Sequence, residues 1–167
     1  MLFRSVLKNN KDIDIVGSYI DEYEEDMKKF ISTKKVPITN DDIVKYSKKR
    51  NPFNHMTVMY KKDSVIRAGN YIDFKWNEDY YLWIRMLNMN FKGYNISECL
   101  VKARTGDSMY ERRGGIEYAK VDYFLQRKIL EMGYINKIQF FYNIFTRISV
   151  RLIPNTLRRQ IYIKFLR

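Results

Sequence analysis

The sequence predicts an α/β body followed by a helical C-terminal appendage. Three observations predict it. Ile13-Asp14-Ile15-Val16 carries β-branched side chains in a buried-strand pattern. Helical and strand patterns then alternate as far as Gly133. Beyond Gly133 the chain shows only helical, amphipathic spacing, so it divides into a body over residues 1–133 and a basic amphipathic extension over residues 134–167.

Each element has its own signal. Leu2 to Lys8 reads as a short helix, and residues 13–23 as a buried strand. The stretch DMKKFISTKKVP, closed by Pro37, reads as a weaker strand or extended arm. Asn40, Asp41 and Asp42 are candidate caps for a short helix from Ile43 to Lys48. RNPFNH is a loop set by Pro52 and two asparagines, and MTVMYK, residues 56–61, reads as a buried strand. Asp63 or Ser64 can cap a helix that stops at Gly69. Glu78 to Asn90 is a helix whose Leu82, Met86 and Met89 keep a three-to-four spacing, with Trp83 and Leu87 beside them. A β segment starts at Gly93 and is best formed over residues 98–104. A polar loop, TGDSMYERRGG, leads to a long helix from Ile116 to Met132, and two amphipathic helices split by Pro154 follow.

The 167 residues suit one domain with a real core, and 46% hydrophobic against 30% charged residues excludes a disordered chain. A single cysteine, Cys99, excludes an internal disulfide and a cysteine-based metal cluster; its expected role is that of a small buried hydrophobe. The net charge is +12, and from Tyr134 to Arg167 there are seven Lys or Arg and no acid. That stretch suits an anionic surface. Its longest charge-free run, Ile138 to Thr146, is far below the roughly 20 apolar residues of a membrane span. The first ten residues carry no signal-peptide pattern. Charge and aromatics alone would also suit nucleic acid, but no nucleic-acid module is recognisable, so nucleic acid is not an expected partner.

Three groups of residues could carry chemistry. Glu78 and Asp79 stand side by side at a helix start, where the macrodipole favours ionised carboxylates. They can serve the helix end, or one of them can accept a proton from an attacking hydroxyl. His55, the only histidine, sits where a polar loop enters a strand, as a structural residue or a ligand contact. Arg112 and Arg113, with Gly114 and Gly115, precede the long helix, and Arg104 closes the strand before that loop. Forked guanidiniums and a helix start suit a diphosphate; an ordinary basic loop is the other reading. The sequence has no P-loop and no dinucleotide glycine fingerprint.

In their order and separation, RNPFNHMTVMYKKDSVIRAGNY, EDYYLWIRML and YNISECLVKARTGDSMYERRGG resemble the acceptor-side half of a bacterial family 2 glycosyltransferase. The type is the one that builds capsule, exopolysaccharide or O-antigen repeats, and the resemblance runs from about Val6 to Arg167. It implies a GT-A fold, here without its N-terminal nucleotide-binding half. It implies inverting transfer of a hexose from a nucleotide-sugar, a UDP-sugar by expectation, to a saccharide or lipid-linked acceptor. Asp79 would be the base and Glu78 its neighbour. Asn54, His55 and Trp83 would bind substrate, and Arg104, Arg112 and Arg113 would lie over the donor diphosphate.

The resemblance also implies a divalent cation, Mg²⁺ or Mn²⁺; the chain would begin about where the helix after the family's metal-binding D-x-D turn should be, so those ligands are expected to be absent from it. The expectation is therefore a truncated product, one half of a split gene or a mispredicted start, inactive alone. A separate N-terminal half or a homo-oligomer would complete it. Its expected place is cytoplasmic, peripheral to the inner face of the plasma membrane. The alternative is a non-catalytic membrane-surface or subunit module built on the basic C-terminal helices.

Overall fold

The computed structural model describes residues 2–106 and 114–152, a mixed α/β structure of four strands and six α-helices. In chain order these are α1 (Leu2–Asn9), β1 (Ile13–Tyr23), β2 (Phe30–Lys34), α2 (Asn40–Ser47), β3 (Met59–Tyr60), α3 (Lys62–Arg67), α4 (Glu78–Asn88), β4 (Lys92–Arg104), α5 (Ile116–Glu131) and α6 (Lys137–Leu152). The described residues fall into two compact units, one within Met1–Asp21 and Thr33–Lys102, the other within Glu22–Ser32 and Ala103–Arg167. No helix among them is long and apolar enough to cross a membrane.

The sheet is ordered β2-β1-β3, and β4 also pairs with β1. Four consecutive residues of β1, Ile15 to Ser18, are buried, so this part of the strand is covered on both faces, as its unbroken apolar run implies. β3 runs antiparallel to β1, with Ile15 opposite Tyr60 and Val16 opposite Met59.

The core of the first unit gathers around Phe53 and Trp83, whose rings meet edge to face at 6.0 Å. Phe53 fits because residues 17 and 93 are glycines. A Cβ on Gly17 would stand 3.1 Å from its ring and 2.4 Å from Asn95 Oδ1, and one on Gly93 would stand 2.8 Å from the ring. From α4, Leu82, Trp83, Ile84 and Met86 are fully buried against this core. Asn95, also fully buried, donates from Nδ2 to the carbonyls of Pro37 and Pro52 and so ties two loops to β4.

Several elements differ from the sequence expectation. Thr39, not Asn40, caps α2: its hydroxyl oxygen accepts from the Asp42 amide and the helix starts three residues early. Asn40 is drawn off to accept from the Gly93 amide. Residues 56–61 are not a buried strand. Asn54 O accepts from both the amide and the hydroxyl of Thr57, which winds His55–Thr57 into a 3₁₀ turn and leaves only two exposed residues in β3. Neither Asp63 nor Ser64 caps α3; Lys61 holds the cap position, and the Ser64 hydroxyl donates to Asp14. Gly69 does stop that helix, at φ +85°. Met89 lies past the end of α4 and is exposed. Cys99 is exposed, not buried, because residues 97–99 face outward; partial desolvation and the adjacent Asp21 carboxylate push its thiol up from its ordinary value.

In the second unit α5 and α6 pack as a helical pair. Gly133, at φ +71°, ends α5, and Asn136 and Gln139 cap α6 reciprocally, each side chain accepting from the other's amide. The buried side chains of the pair are both apolar, Leu125, Ile129 and Phe140 among them, and polar. Asp122 is fully buried and accepts from Arg147 Nη1 at 2.9 Å and Arg151 Nε at 2.8 Å, and the Arg151 guanidinium lies over the Tyr118 ring at 4.2 Å. One turn further along α5, Gln126 accepts from Asn143 at 2.8 Å. The helix expected beyond Pro154 lies outside the described residues.

Two substitutions test this packing. Gly17→Ala should lower stability by about 1–3 kcal/mol, since neither Asn95 nor Phe53 can give way without losing its own partners; the urea midpoint measures it. Asp122→Ala strands two arginines and should destabilise by about 3–5 kcal/mol, read as an earlier loss of helical circular dichroism. An unchanged midpoint in either variant would contradict the packing described.

Candidate functional site

The first unit brings three predicted site residues, Glu78, Asp79 and His55, together at the start of α4. The helix begins after Asn77, whose side chain makes no capping bond, so the amides of the first turn face Glu78 and Asp79 without a side-chain competitor. Successive residues on a helix point about 100° apart. Asp79 accordingly turns inward and is nearly buried, while Glu78 is half-buried.

Asp79 is held by the loop that precedes β3. Asn51 Nδ2 donates to Asp79 Oδ2 at 2.8 Å, and His55 Nδ1 lies 3.5 Å from the same oxygen. The other carboxylate oxygen has no protein donor among the described residues. Asn51 Oδ1 also accepts from the Phe53 amide, so one side chain shapes the loop and orients the carboxylate.

The surroundings of Asp79 are aromatic. Trp83, one turn along α4, is fully buried and forms a floor. Above it stand three more exposed rings: His55 at 6.3 Å, Tyr71 at 6.2 Å and Tyr60 at 6.0 Å between centroids. His55 and Tyr71 stack at 6.3 Å with 18° between planes. Tyr71 belongs to the irregular stretch between α3 and α4. Arg85 donates to the carbonyls of Ala68 and Asn70 and so fastens the start of that stretch to α4. Partial desolvation, then the neighbouring Tyr60 hydroxyl and the charges of Asp79 and Glu78, push the Tyr71 hydroxyl well above its ordinary value. It is a neutral phenol throughout the physiological range.

The remaining predicted residues lie elsewhere or do other work. Asn54 is buried, and its amide donates to the carbonyls of Ser18 and Lys34; it holds the loop and offers no surface to a ligand. Trp83 packs and likewise has no exposed surface. Arg104 is exposed at the end of β4, in the second unit. Arg112 and Arg113 lie outside the described residues. Sequence reasoning missed Asn51, Tyr60 and Tyr71. Asn51 lies inside the NPFNH stretch and could have been weighed there. Tyr71 had no signal, because an irregular segment has no period to read.

Among the described residues no three His, Cys, Asp or Glu side chains gather as a metal-ligand set. The chemistry on offer is that of an oriented carboxylate beside an imidazole and two phenols. It can accept a proton from a hydroxyl and bind a polyhydroxylated molecule against aromatic faces.

No family model matches the chain. Curated bacterial proteins do. A UDP-Gal:alpha-D-GlcNAc-diphosphoundecaprenol beta-1,3-galactosyltransferase of Escherichia coli is 40% identical over 161 residues, covering 96% of this chain and 58% of its own length. A glycosyltransferase of Haemophilus influenzae is 35% identical, over 92% of this chain and 57% of its own. The amylovoran biosynthesis glycosyltransferase AmsE of Erwinia amylovora is 31% identical, over 96% and 59%. The chain thus spans a little under three fifths of the length of the curated relatives it matches.

Alkaline titration tests the site's electrostatics. The raised Tyr71 value means that its contribution to stability is fully present below the ordinary tyrosine pKa of about 10 and is lost only as pH rises through the higher folded value. Tyrosinate absorbance should therefore show the same step near pH 10 in Tyr71→Phe as in the parent. A step smaller by one tyrosine in the variant would show that Tyr71 titrates normally.

Proposed function

Because this chain is a homologue of bacterial polysaccharide glycosyltransferases, we propose that it is the acceptor-side portion of such an enzyme, with Asp79 as its base. The observation that carries the reading is the Asp79 carboxylate, oriented by Asn51, touched by His55 and set among exposed aromatic rings at a helix start. In this reading the enzyme is of the family 2 type with a GT-A fold. It transfers a hexose with inversion from a nucleotide-sugar to a saccharide or lipid-linked hydroxyl.

An acceptor hydroxyl lies against Tyr71 and His55 and passes its proton to Asp79. Its oxygen then forms the bond to the anomeric carbon as the nucleoside diphosphate departs with the electron pair of the broken bond. His55 and Asn51 keep the carboxylate aimed. Glu78, half-buried beside it, is suited to hydrogen-bond sugar hydroxyls. Arg104, Arg112 and Arg113 are the candidates for the diphosphate. A divalent cation would neutralise the leaving group's charge in the complete enzyme, held by residues other than those described. The acid-free basic stretch from Tyr134 onward supports a place at the inner face of the membrane.

The E. coli relative's name supplies the substrates to try: UDP-galactose and a GlcNAc-diphospholipid. The chain should be joined to the segment of that relative that the match does not cover, and UDP release followed. Transfer should appear, and Asp79→Asn should reduce it by about 10²–10⁴-fold. Asp79→Asn transfer at the parent rate would refute the assignment of the base. A joined chain that folds but transfers no sugar would refute the enzymatic reading.

A further inference from the structure

The second unit's helical pair buries Leu125, Ile129 and Phe140 but leaves a further apolar face of α6 outside. At about 100° per residue, Asn143, Arg147 and Arg151 fall on one face of α6 with Phe140, while Ile138, Phe141 and Phe145 fall on the opposite face. The inward face is mixed: with the buried Phe140 it carries the two arginines on Asp122 and the Asn143–Gln126 bond. The outward face is the apolar one, with Ile138 at 82%, Phe141 at 67% and Phe145 at 74% exposure. The exposed surface continues onto α5. Phe124, Tyr123, Phe140 and Phe141 form a row of rings in successive edge contact, 5.7, 6.1 and 5.4 Å between centroids. Phe124 and Tyr123 are themselves exposed. A soluble helix buries its apolar stripe; α6 leaves a wide aromatic stripe outside, while its inward face includes charged and amide side chains.

Charge identifies the occupant. The chain carries +12 overall, and α6 with the sequence after it holds seven cations and no acid; two of the seven, Arg147 and Arg151, are paired with Asp122, which leaves five. A protein partner for the apolar face would not call for this one-sided charge, whereas an anionic lipid surface satisfies both features at once. We propose that the α5–α6 pair is an interfacial anchor, in which Ile138, Phe141 and Phe145 enter the acyl boundary of an anionic bilayer. The Asp122–Arg147–Arg151 cluster helps keep the helices paired from inside, together with the buried Leu125, Ile129 and Phe140. The arrangement adds to the location proposed above a specific insertion device. It does not depend on Asp79, so the two proposals can fail separately.

The test is vesicle co-sedimentation of the full chain. It should bind phosphatidylglycerol–phosphatidylethanolamine vesicles and leave phosphatidylcholine vesicles largely unbound. Phe141→Ser/Phe145→Ser should weaken partitioning by about tenfold or more with helicity unchanged. Independently, Phe145→Trp should add emission that shifts to the blue on binding and is quenched by lipids brominated in the acyl chain. Equal uptake by phosphatidylcholine, parent-like binding of the double variant, or binding without acyl-chain quenching would each overturn the proposal. So would a soluble dimer that the double variant makes monomeric, since the face would then belong to a second copy.

Discussion

The first unit depends on buried side-chain amides that close the loop around Phe53. Asn95 donates to the Pro37 and Pro52 carbonyls, and Asn54 donates to those of Ser18 and Lys34. Unsatisfied, each such carbonyl would cost about 1–3 kcal/mol in an apolar interior. With these bonds made, Phe53 is driven between the backbones of Gly17 and Gly93 and onto Trp83. Everything chemical in this unit then follows from position. Asn51 and His55 flank Phe53 in sequence, and Asp79 lies one turn before Trp83 on α4, so packing the two rings brings Asn51 and His55 onto the carboxylate.

Most of this was legible where a period or a punctuating residue exists. The β-branched run marked β1, the three-to-four spacing marked α4, and Gly69 and Gly133 ended their helices where expected. What could not be read were choices between local and distant partners. Thr39 outcompetes Asn40 as a cap because Asn40 bonds to Gly93, more than fifty residues away. The residues after His55 read as a strand by composition, yet the carbonyl of Asn54 captures Thr57 and turns the chain. Asn54, expected to bind substrate, is buried for the same reason: its partners are backbone carbonyls of other strands. Of the site, the acidic pair and His55 were visible in sequence; the Tyr60 and Tyr71 rings beside them depend on a path that only the fold defines.

The second unit shows a different limit. The amphipathic spacing of α6 was plain, but the spacing does not say which face is turned inward. The answer rests on Asp122, an acid in α5 with two arginines one turn apart on α6. Two forked donors on one carboxylate set the rotation of α6, and the aromatic stripe is outside as a consequence. A charged cluster set beside the buried Leu125, Ile129 and Phe140 thus helps decide which surface this unit presents.

The central claim is that the Phe53 loop delivers His55 to the Asp79 carboxylate, and the chain's single imidazole makes it directly measurable. Long-range ¹⁵N–¹H correlation spectra of the neutral ring report which nitrogen carries the proton. With His55 Nδ1 facing Asp79 Oδ2, the Nδ1–H tautomer should predominate, and Asp79→Ala should return the ring to the Nε2–H form. An Nε2–H ring in the parent, unchanged by Asp79→Ala, would show that the imidazole and the carboxylate do not meet.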